Sequence, residues 1–434
     1  MRLDPILAFY ALPLVAIWSA YALSRNKAEA RAILLRDDAI DAGLSEPTSL
    51  HPIIDAGLCI GCKACLSVCP EGDILGLINN KAHLVEPSNC IGHGACKTAC
   101  PRGAISLVFG SETRGVDLPV VKPDFQSNVP GIYIAGELGG MGLIRNAVEQ
   151  GAQAIEAIAA RPRSKRADVL DVLIVGSGPA GISASLGAME KGLRFATIEQ
   201  DSLGGTVAQF PRGKVVMTAP AVLPIVGQVK FKEISKEKLI GFWQGVVRDT
   251  GLQINFQERV ESVTAFDGGF AVQTPRGTYL ARSILLAIGR RGTPRKLGVP
   301  GEELSKVTYR LIDPQQYRGQ HVLVVGGGDS ALEAAASIAE EAGTRVTLSY
   351  RGDAFQRAKT KNRARVEAAS RSGQLEVMLG TKVAHIAPDH IALTLKGQTI
   401  KRRNDAVIVC AGGILPTDFL KSMGIGIETK YGTA

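Results

Sequence analysis

Eight residues between positions 59 and 100 carry the densest chemistry in the chain. In "CIGCKACLSVCP", Cys59, Cys62, Cys65 and Cys69 stand in the spacing C-x2-C-x2-C-x3-C-P. Two-residue loops let backbone amides point at sulfide, so the first three thiolates can wrap one face of an iron–sulfur cubane. The fourth sits on a helix that leads to a second cluster. Zinc is the competing chemistry, but zinc ribbons pair two separated Cys-x2-Cys knuckles and have no need of the closing Cys-Pro. The run "CIGHGACKTACP" repeats the pattern through Cys90, His93, Cys96 and Cys100, with His93 at the second cysteine position. A neutral imidazole there removes one negative charge and should raise that cluster's potential. The alternative is a surface histidine beside a three-cysteine 3Fe-4S cluster. Seven of the eight cysteines lie in this window, which as a disulfide framework would leave one unpaired, so metal in a reducing compartment is the better reading.

Two glycine-rich turns follow. Residues 169–175, "VLDVLIV", form a buried-strand run leading into "GSGPAG" and a helix. Gly176, Gly178 and Gly181, with Pro179 and Ala180 between them, permit a tight turn, backbone approach to a pyrophosphate and close helix packing. Glu199, closing "RFATIE", falls where a ribose diol would be hydrogen-bonded. The second turn, in "VLVVGGGDSALEAA", offers Gly326, Gly328 and Ala331, with Asp329 and Ser330 opening its helix. Its next strand, "RVTLSYR", ends in Tyr350-Arg351 instead of an acid. An acid accepts the 2′-hydroxyl of NADH, whereas arginine accommodates the 2′-phosphate of NADPH. Arg351, with Arg357, Lys359 and Lys361, therefore tilts the expectation toward NADPH, against the plain reading of a solvated basic loop. A third stretch, "VPGIYIAGELGGMG" at 129–142, runs strand, Gly136-Glu137 step and then a helix over 143–160, which is how an α/β protein meets a phosphate or a flavin. It stands ahead of the fingerprint it should serve.

The elements that position these residues come from about three units, given 434 residues. With 45% hydrophobic residues and 49 glycines, the composition is that of an Ala/Gly-rich α/β protein and excludes a disordered chain. The net charge of +9 raises nucleic acid as a partner, but 5% aromatics and no helix-turn-helix or zinc-finger spacing argue for none. Residues 6–23, "ILAFYALPLVAIWSAYAL", run without a charge for about 27 Å as a helix, just enough for a bilayer core. Arg25, Lys27, Arg31 and Arg36 follow it, so the positive-inside rule places the body in the cytoplasm, on a bacterial inner membrane. A cleaved signal peptide or a buried helix is the alternative. The expectation is thus a transmembrane anchor over 1–24 and a linker helix over 25–50. Further on, "GLINNKAHLV" reads as two short strands turned at Asn79-Asn80.

On these residues the segment 51–108 resembles the bacterial two-cluster ferredoxins. That resemblance implies that Cys59, Cys62 and Cys65 share a 4Fe-4S cluster with Cys100, while Cys69, Cys90 and Cys96 hold the other with His93. The paired fingerprints, with the connections "LLAIGRRGTPRKLGVPG" and "VIVCAGGILPTDF", resemble flavoproteins of the thioredoxin reductase type over nearly everything after Gly103. This implies FAD at the first fingerprint, a nicotinamide nucleotide at the second, and a flavin-facing loop at "LGGT" with Gly204, Gly205 and Thr206. The chain departs from the family twice. No Cys-x-x-Cys occurs after Cys100, so disulfide reduction through a dithiol is not expected. The strand, Gly-acid step and helix with which the family closes its FAD domain come early here, with Glu137 in place of an aspartate.

A circular permutation is therefore expected: 109–160 closes the FAD domain, 161–168 links it to 169–288, the nucleotide domain spans 289–410, and 411–434 returns to the FAD domain. An independent fragment, or closure by a dimer partner, is the alternative. The expected fold is α/β, two Rossmann-like dinucleotide-binding domains with an α+β ferredoxin module and one transmembrane helix. The expected function is a membrane-anchored FAD-dependent oxidoreductase, a homodimer, passing electrons between NAD(P)H, FAD and two iron–sulfur clusters, to or from a ferredoxin-like redox partner. No side chain is assigned an acid–base role. A membrane quinone or cytochrome reductase and an electron-transfer subunit of a larger complex are the rival readings.

Overall fold

The computed structural model describes residues 5–41, 47, 50–112, 115–140, 142–217, 220–231, 233–290, 292–355 and 358–432, the side chains at 5–8, 11 and 217 excepted. The chain divides into two compact units, Met1–Val116 with Lys430–Ala434, and Asp117–Thr429.

The first unit opens with one continuous helix, Pro5–Asp41, 37 residues long. The expected transmembrane element is corrected here. Among the described residues no helix is long and apolar enough to cross a membrane, and with this goes the basis for a membrane partner. The helix runs on from its apolar stretch into a charged half that contacts the segment 73–85. Its Glu29 accepts from the Asn79 backbone N–H at 2.6 Å, Arg31 pairs with Asp73, and Ala32 packs with Ile78 and Val85. Strands Leu75–Ile78 and Lys81–Leu84 form an antiparallel hairpin, Leu75 opposite Leu84. Asn79 (φ 51°) and Asn80 (φ 59°) make its turn, since Asn tolerates the left-handed region that a two-residue hairpin loop requires. His51–Ile54 pairs antiparallel with Ile105–Val108. The core between these pairs holds Cys59, Cys65, Leu75, Ala82, Cys96 and Ile105.

The second unit is built on two five-stranded parallel sheets. The first runs Asn255–Phe256, Phe195–Glu199, Val172–Val175, Ile284–Leu286, Ile132–Ile134. Its outermost strand is Ile-Tyr-Ile, β-branched and aromatic, with all three side chains buried, and Ile132 and Ile134 lie opposite Ile284 and Leu286. The helix that follows, Ile144–Ala159, places Ala154, Ile155 and Ile158 in one core with Val172, Ile174 and Leu285. The segment 129–142 thus belongs to the same sheet as the first fingerprint. Leu420, Met423 and Ile425 from the chain's return lie in a second core, with the alternate side chains Ile132, Ile134 and Leu173 of the same strands. Asn128 clasps that return, donating to Gly424 O at 2.9 Å and accepting from Gly426 N at 2.8 Å.

The second sheet runs Val307–Thr308, Ala406–Val409, His321–Val325, Arg345–Tyr350, Leu375–Leu379, also parallel throughout. The two crossings between the sheets lie side by side, Thr293–Pro294 antiparallel to Gly413–Ile414. Ion pairs Lys214–Glu333 (2.6 Å) and Arg212–Asp313 (3.0 Å) bridge the two subdomains.

Candidate functional site

The first fingerprint opens a cleft of about 1070 Å³. Val175 runs into Gly176, whose φ of 108° and closeness to Ala287 O, 2.5 Å from where a Cβ would stand, admit only glycine. Gly181 meets Gly176 O still more closely, which draws the helix Pro179–Glu190 onto the turn. Gly178 differs from both. Its φ is an ordinary −73°, and a Cβ there would meet nothing nearer than Gly205 Cα at 4.0 Å. Fold geometry does not require glycine at that position; space for a ligand beside the backbone does.

Two helix N-termini edge the cleft, Pro179–Glu190 after Gly178 and Ile144–Ala159 after Leu143, and neither has a side-chain cap. Uncapped N–H groups and the positive end of the helix dipole suit an anion such as a pyrophosphate. Glu199 lies within hydrogen-bonding reach: Oε2 accepts from Ser177 N (2.7 Å) and Oγ (3.1 Å), Oε1 from Asp201 N (2.9 Å). A carboxylate has about four acceptor positions, so one remains for a diol. Gly205 and Thr206 line the same cleft. Gly204 lies behind, its Cβ position 2.5 Å from Ile240 and 3.1 Å from Trp243, which fixes the loop against the helix Lys236–Thr250. Gly136 and Glu137 line the cleft as well, although they precede the fingerprint in sequence. Gly136 N–H donates to Gln150 Oε1 at 2.8 Å, and the helix of Gln150 approaches so closely that a Cβ on Gly151 would stand 2.1 Å from Ala180 O. Gln150 and Gly151 escaped the sequence reading, because a helix–helix approach leaves no mark in spacing. Glu258, also lining the cleft, is buried and accepts from Thr274 Oγ1 (2.6 Å) and Tyr279 Oη (3.1 Å).

At the second fingerprint Gly326 has φ 148° and its Cβ position lies 2.4 Å from Cys410 O, while Gly328, like Gly178, faces open space. Ala331 is buried and Ser330 exposed. Asp329 is half-buried. Its Oδ1 accepts from Lys359 N and Asn362 Nδ2, both at 2.8 Å, and so ties the loop after Tyr350 to the start of the helix Asp329–Ala339. Tyr350 stacks on Phe355, centroids 5.7 Å apart, and its ring covers Gly327. Arg351 is exposed, with no ion pair among the described residues. Arg357 lies outside the described residues.

In the first unit, Cys59, Cys62, Cys65 and Cys100 line one small apolar cavity. Ala82 N–H donates to Cys59 Sγ at 3.4 Å and Ala104 N–H to Cys100 Sγ at 3.3 Å, contacts that tune sulfur ligands. Burial pushes the Cys65 thiol up to about 11 and the Cys90 thiol up to about 11; Cys69 and Cys96 add their charges to the rise at Cys90. Burial likewise raises Cys69 and Cys96. Among the described residues no group of three or more His, Cys, Asp or Glu side chains converges as a ready metal site.

Two parallel sheets that each open on a glycine turn, joined by adjacent crossings, define a flavoprotein with two dinucleotide-binding folds. Comparison with known proteins agrees. Residues 173–433 match the pyridine nucleotide-disulphide oxidoreductase family, and residues 51–101 match the 4Fe-4S dicluster domain. The chain belongs to the pyridine nucleotide-disulphide oxidoreductase family, as an FAD-dependent enzyme with a 4Fe-4S domain. It is 29% identical over 269 residues to a ferredoxin–NADP reductase of Ignicoccus hospitalis, covering 60% of this chain and 83% of that one. It is 27% identical over 267 residues to a bacilliredoxin reductase of Bacillus subtilis, covering 60% and 82%. Among solved structures, a bacillithiol disulfide reductase of Staphylococcus aureus superposes with a TM-score of 0.52 at 26% identity, over 59% of this chain and 80% of that one.

Proposed function

We propose that the protein passes electrons between NADPH, FAD and two 4Fe-4S clusters, exchanging them with a small ferredoxin-like protein in a reducing compartment. The observation that carries this reading is the open side of Gly178 between two uncapped helix N-termini, in a chain that has a dicluster domain and no Cys-x-x-Cys after Cys100. When bound, FAD would take a hydride from the reduced nicotinamide and release the two electrons singly. The chain's residues hold and orient it. Gly176, Gly178, Pro179, Ala180 and Gly181 receive the pyrophosphate, Glu199 the ribose, and Gly205, Thr206, Gly136 and Glu137 flank the flavin. The end of the helix Ile144–Ala159 favours negative charge on that ring. Arg351, exposed after the strand where an acid would take the ribose diol, favours NADPH. The order of elements is that of a permuted FAD domain, a reading supported by the parallel register of Ile132–Ile134 beside Ile284–Leu286. We also expect a homodimer.

The test is an anaerobic titration of the purified full chain with NADPH and NADH, following flavin and cluster absorbance, then transfer to an added ferredoxin or a viologen dye. NADPH should bleach both chromophores and reduce the acceptor. Reduction of small disulfides without cluster bleaching would refute the reading.

A further inference from the structure

The two cysteine runs fold alike although one of them has a histidine where the other has its second cysteine. Gly61 and Gly92 occupy the same place in the two runs and have φ of 70° and 75°. Each is held there by a neighbouring backbone: a Cβ on Gly61 would stand 2.3 Å from Asn80 O, and one on Gly92 2.4 Å from Leu50 O. Two residues on, Lys63 and Gly94 cap the short helices Ala64–Ser67 and Ala95–Ala99 in the left-handed region, at φ 66°, ψ 0° and φ 78°, ψ 0°. Lys63 adopts that conformation as a non-glycine residue, which is costly and persists only where the surroundings demand it. His93, between Gly92 and Gly94, therefore sits on the backbone that presents Cys62 in the first run. A knuckle whose histidine merely faced solvent has no reason to keep this geometry.

The side chain supplies a second observation. His93 Nε2 is buried and makes no hydrogen bond, one of only three such side-chain atoms among the described residues. A buried nitrogen without a partner carries its full desolvation penalty, and such an atom in a native fold calls for an unseen partner. Imidazole nitrogen is an established iron ligand in iron–sulfur centres, where it replaces thiolate and raises the potential.

We infer that His93 Nε2 replaces the fourth thiolate, ligating one iron of the cluster held by Cys69, Cys90 and Cys96. The inference rests on the two-cluster reading above and deepens it. It makes the clusters unequal: the one at Cys59, Cys62, Cys65 and Cys100 keeps four thiolates and the lower potential, while the His93 cluster is the electron sink of the pair. No redox step beyond reversible one-electron uptake is required.

The test uses the full chain, loaded anaerobically with iron and sulfide and reduced, with pulsed EPR on protein grown on ¹⁵N-histidine. A histidine nitrogen coupling should appear on one cluster only. In His93→Cys that coupling should vanish with iron content retained, and one midpoint potential should shift downward while the other stays. Two intact clusters without histidine coupling, or unchanged midpoints in His93→Cys, would overturn the ligation alone. A chain that takes up no cluster at all would overturn the two-cluster reading and this one with it.

Discussion

Replacing Gly151 by valine tests whether the segment ahead of the fingerprint belongs to the FAD site. A Cβ there stands 2.1 Å from Ala180 O, 3.0 Å from its carbonyl carbon and 3.1 Å from its Cα. All three are backbone atoms in the first turn of Pro179–Glu190, so no rotamer change relieves them. Restoring an ordinary contact of 3.4 Å moves the two helices apart by about 1.3 Å. Overpacking of this kind costs about 1–3 kcal/mol, and a backbone clash lies at the upper end. The better helix propensity of valine returns only about 0.5 kcal/mol. A net loss of about 2–2.5 kcal/mol lowers Tm by roughly 4–10 °C in a domain of this size. Gly136, hydrogen-bonded to neighbouring Gln150, moves with the helix, so both N-termini lose their aim. A binding loss of about 1.4–3 kcal/mol is roughly ten- to more than a hundredfold in FAD affinity. Gly241→Val, on the exposed side of another helix with nothing within 4 Å, controls for the substitution itself. The assays are the FAD-to-protein ratio after purification, flavin fluorescence on titrating apoprotein, and thermal unfolding by near-UV circular dichroism. A Gly151→Val protein with full FAD and the same Tm as Gly241→Val would refute the placement.

Gly178→Ala should leave the apoprotein's stability within about 0.5 kcal/mol of wild type, since nothing in the fold meets the new methyl, yet weaken FAD binding at least about tenfold; equal FAD titrations would contradict this. Arg351→Glu should penalise NADPH more than NADH, by about 1.5–3 kcal/mol in a fluorescence or stopped-flow binding assay, and equal losses would move the phosphate contact elsewhere. For Glu302, burial opposes the charge, but the N–H groups of Leu297 (2.6 Å) and Gly298 (2.7 Å) and the Tyr309 hydroxyl (3.0 Å) together outweigh it and hold the carboxyl below its ordinary value of 4.5. A depressed folded-state pKa gives stability that is present above the unfolded value and lost as pH falls through the folded one. The stability gap between wild type and Glu302→Gln should therefore narrow below about pH 4.5 in denaturant titrations, and a gap constant down to pH 3 would count against it.

What could be read from the sequence was what sterics impose locally. Gly176 and Gly181 announce themselves because a Cβ would strike backbone a few residues away in space, and the Asn79-Asn80 turn because both residues must go left-handed. Ile-Tyr-Ile at 132–134 was legible as a strand for the same reason. Its sheet neighbour, Ile284–Leu286, lies far along the chain, yet both are short runs that only a buried parallel sheet accommodates. Contacts set by tertiary packing were not legible. Asp329 occupies a ligand-like place in a motif, and the hydrogen bond it accepts from Asn362, 33 residues on, left no mark in that motif. At the N-terminus, apolar length alone suggested a span, whereas Glu29, Arg31 and Ala32 engage partners at 73–85 that no window of hydropathy contains.

The absent dithiol and the dicluster domain belong to one line of reasoning. A hydride brings two electrons together, and a Cys-x-x-Cys pair could take both in one dithiol–disulfide exchange. Here Cys410 is the sole cysteine after Cys100; it closes the strand Ala406–Val409, and its carbonyl oxygen abuts Gly326. Without a Cys-x-x-Cys pair there, the proposed route takes the two electrons from the flavin singly. Two clusters held in one domain would store that pair, one electron each, before a one-electron carrier removes them. If their potentials differ as His93 implies, the first electron leaves from the four-thiolate cluster, the stronger reductant, and the second from the weaker His93 cluster. Reduction of an acceptor by the full chain should then show two phases of equal amplitude, which stopped-flow mixing of NADPH-reduced protein with excess ferredoxin resolves. In His93→Cys the two phases should draw together, and a single phase in the wild type would speak against unequal clusters.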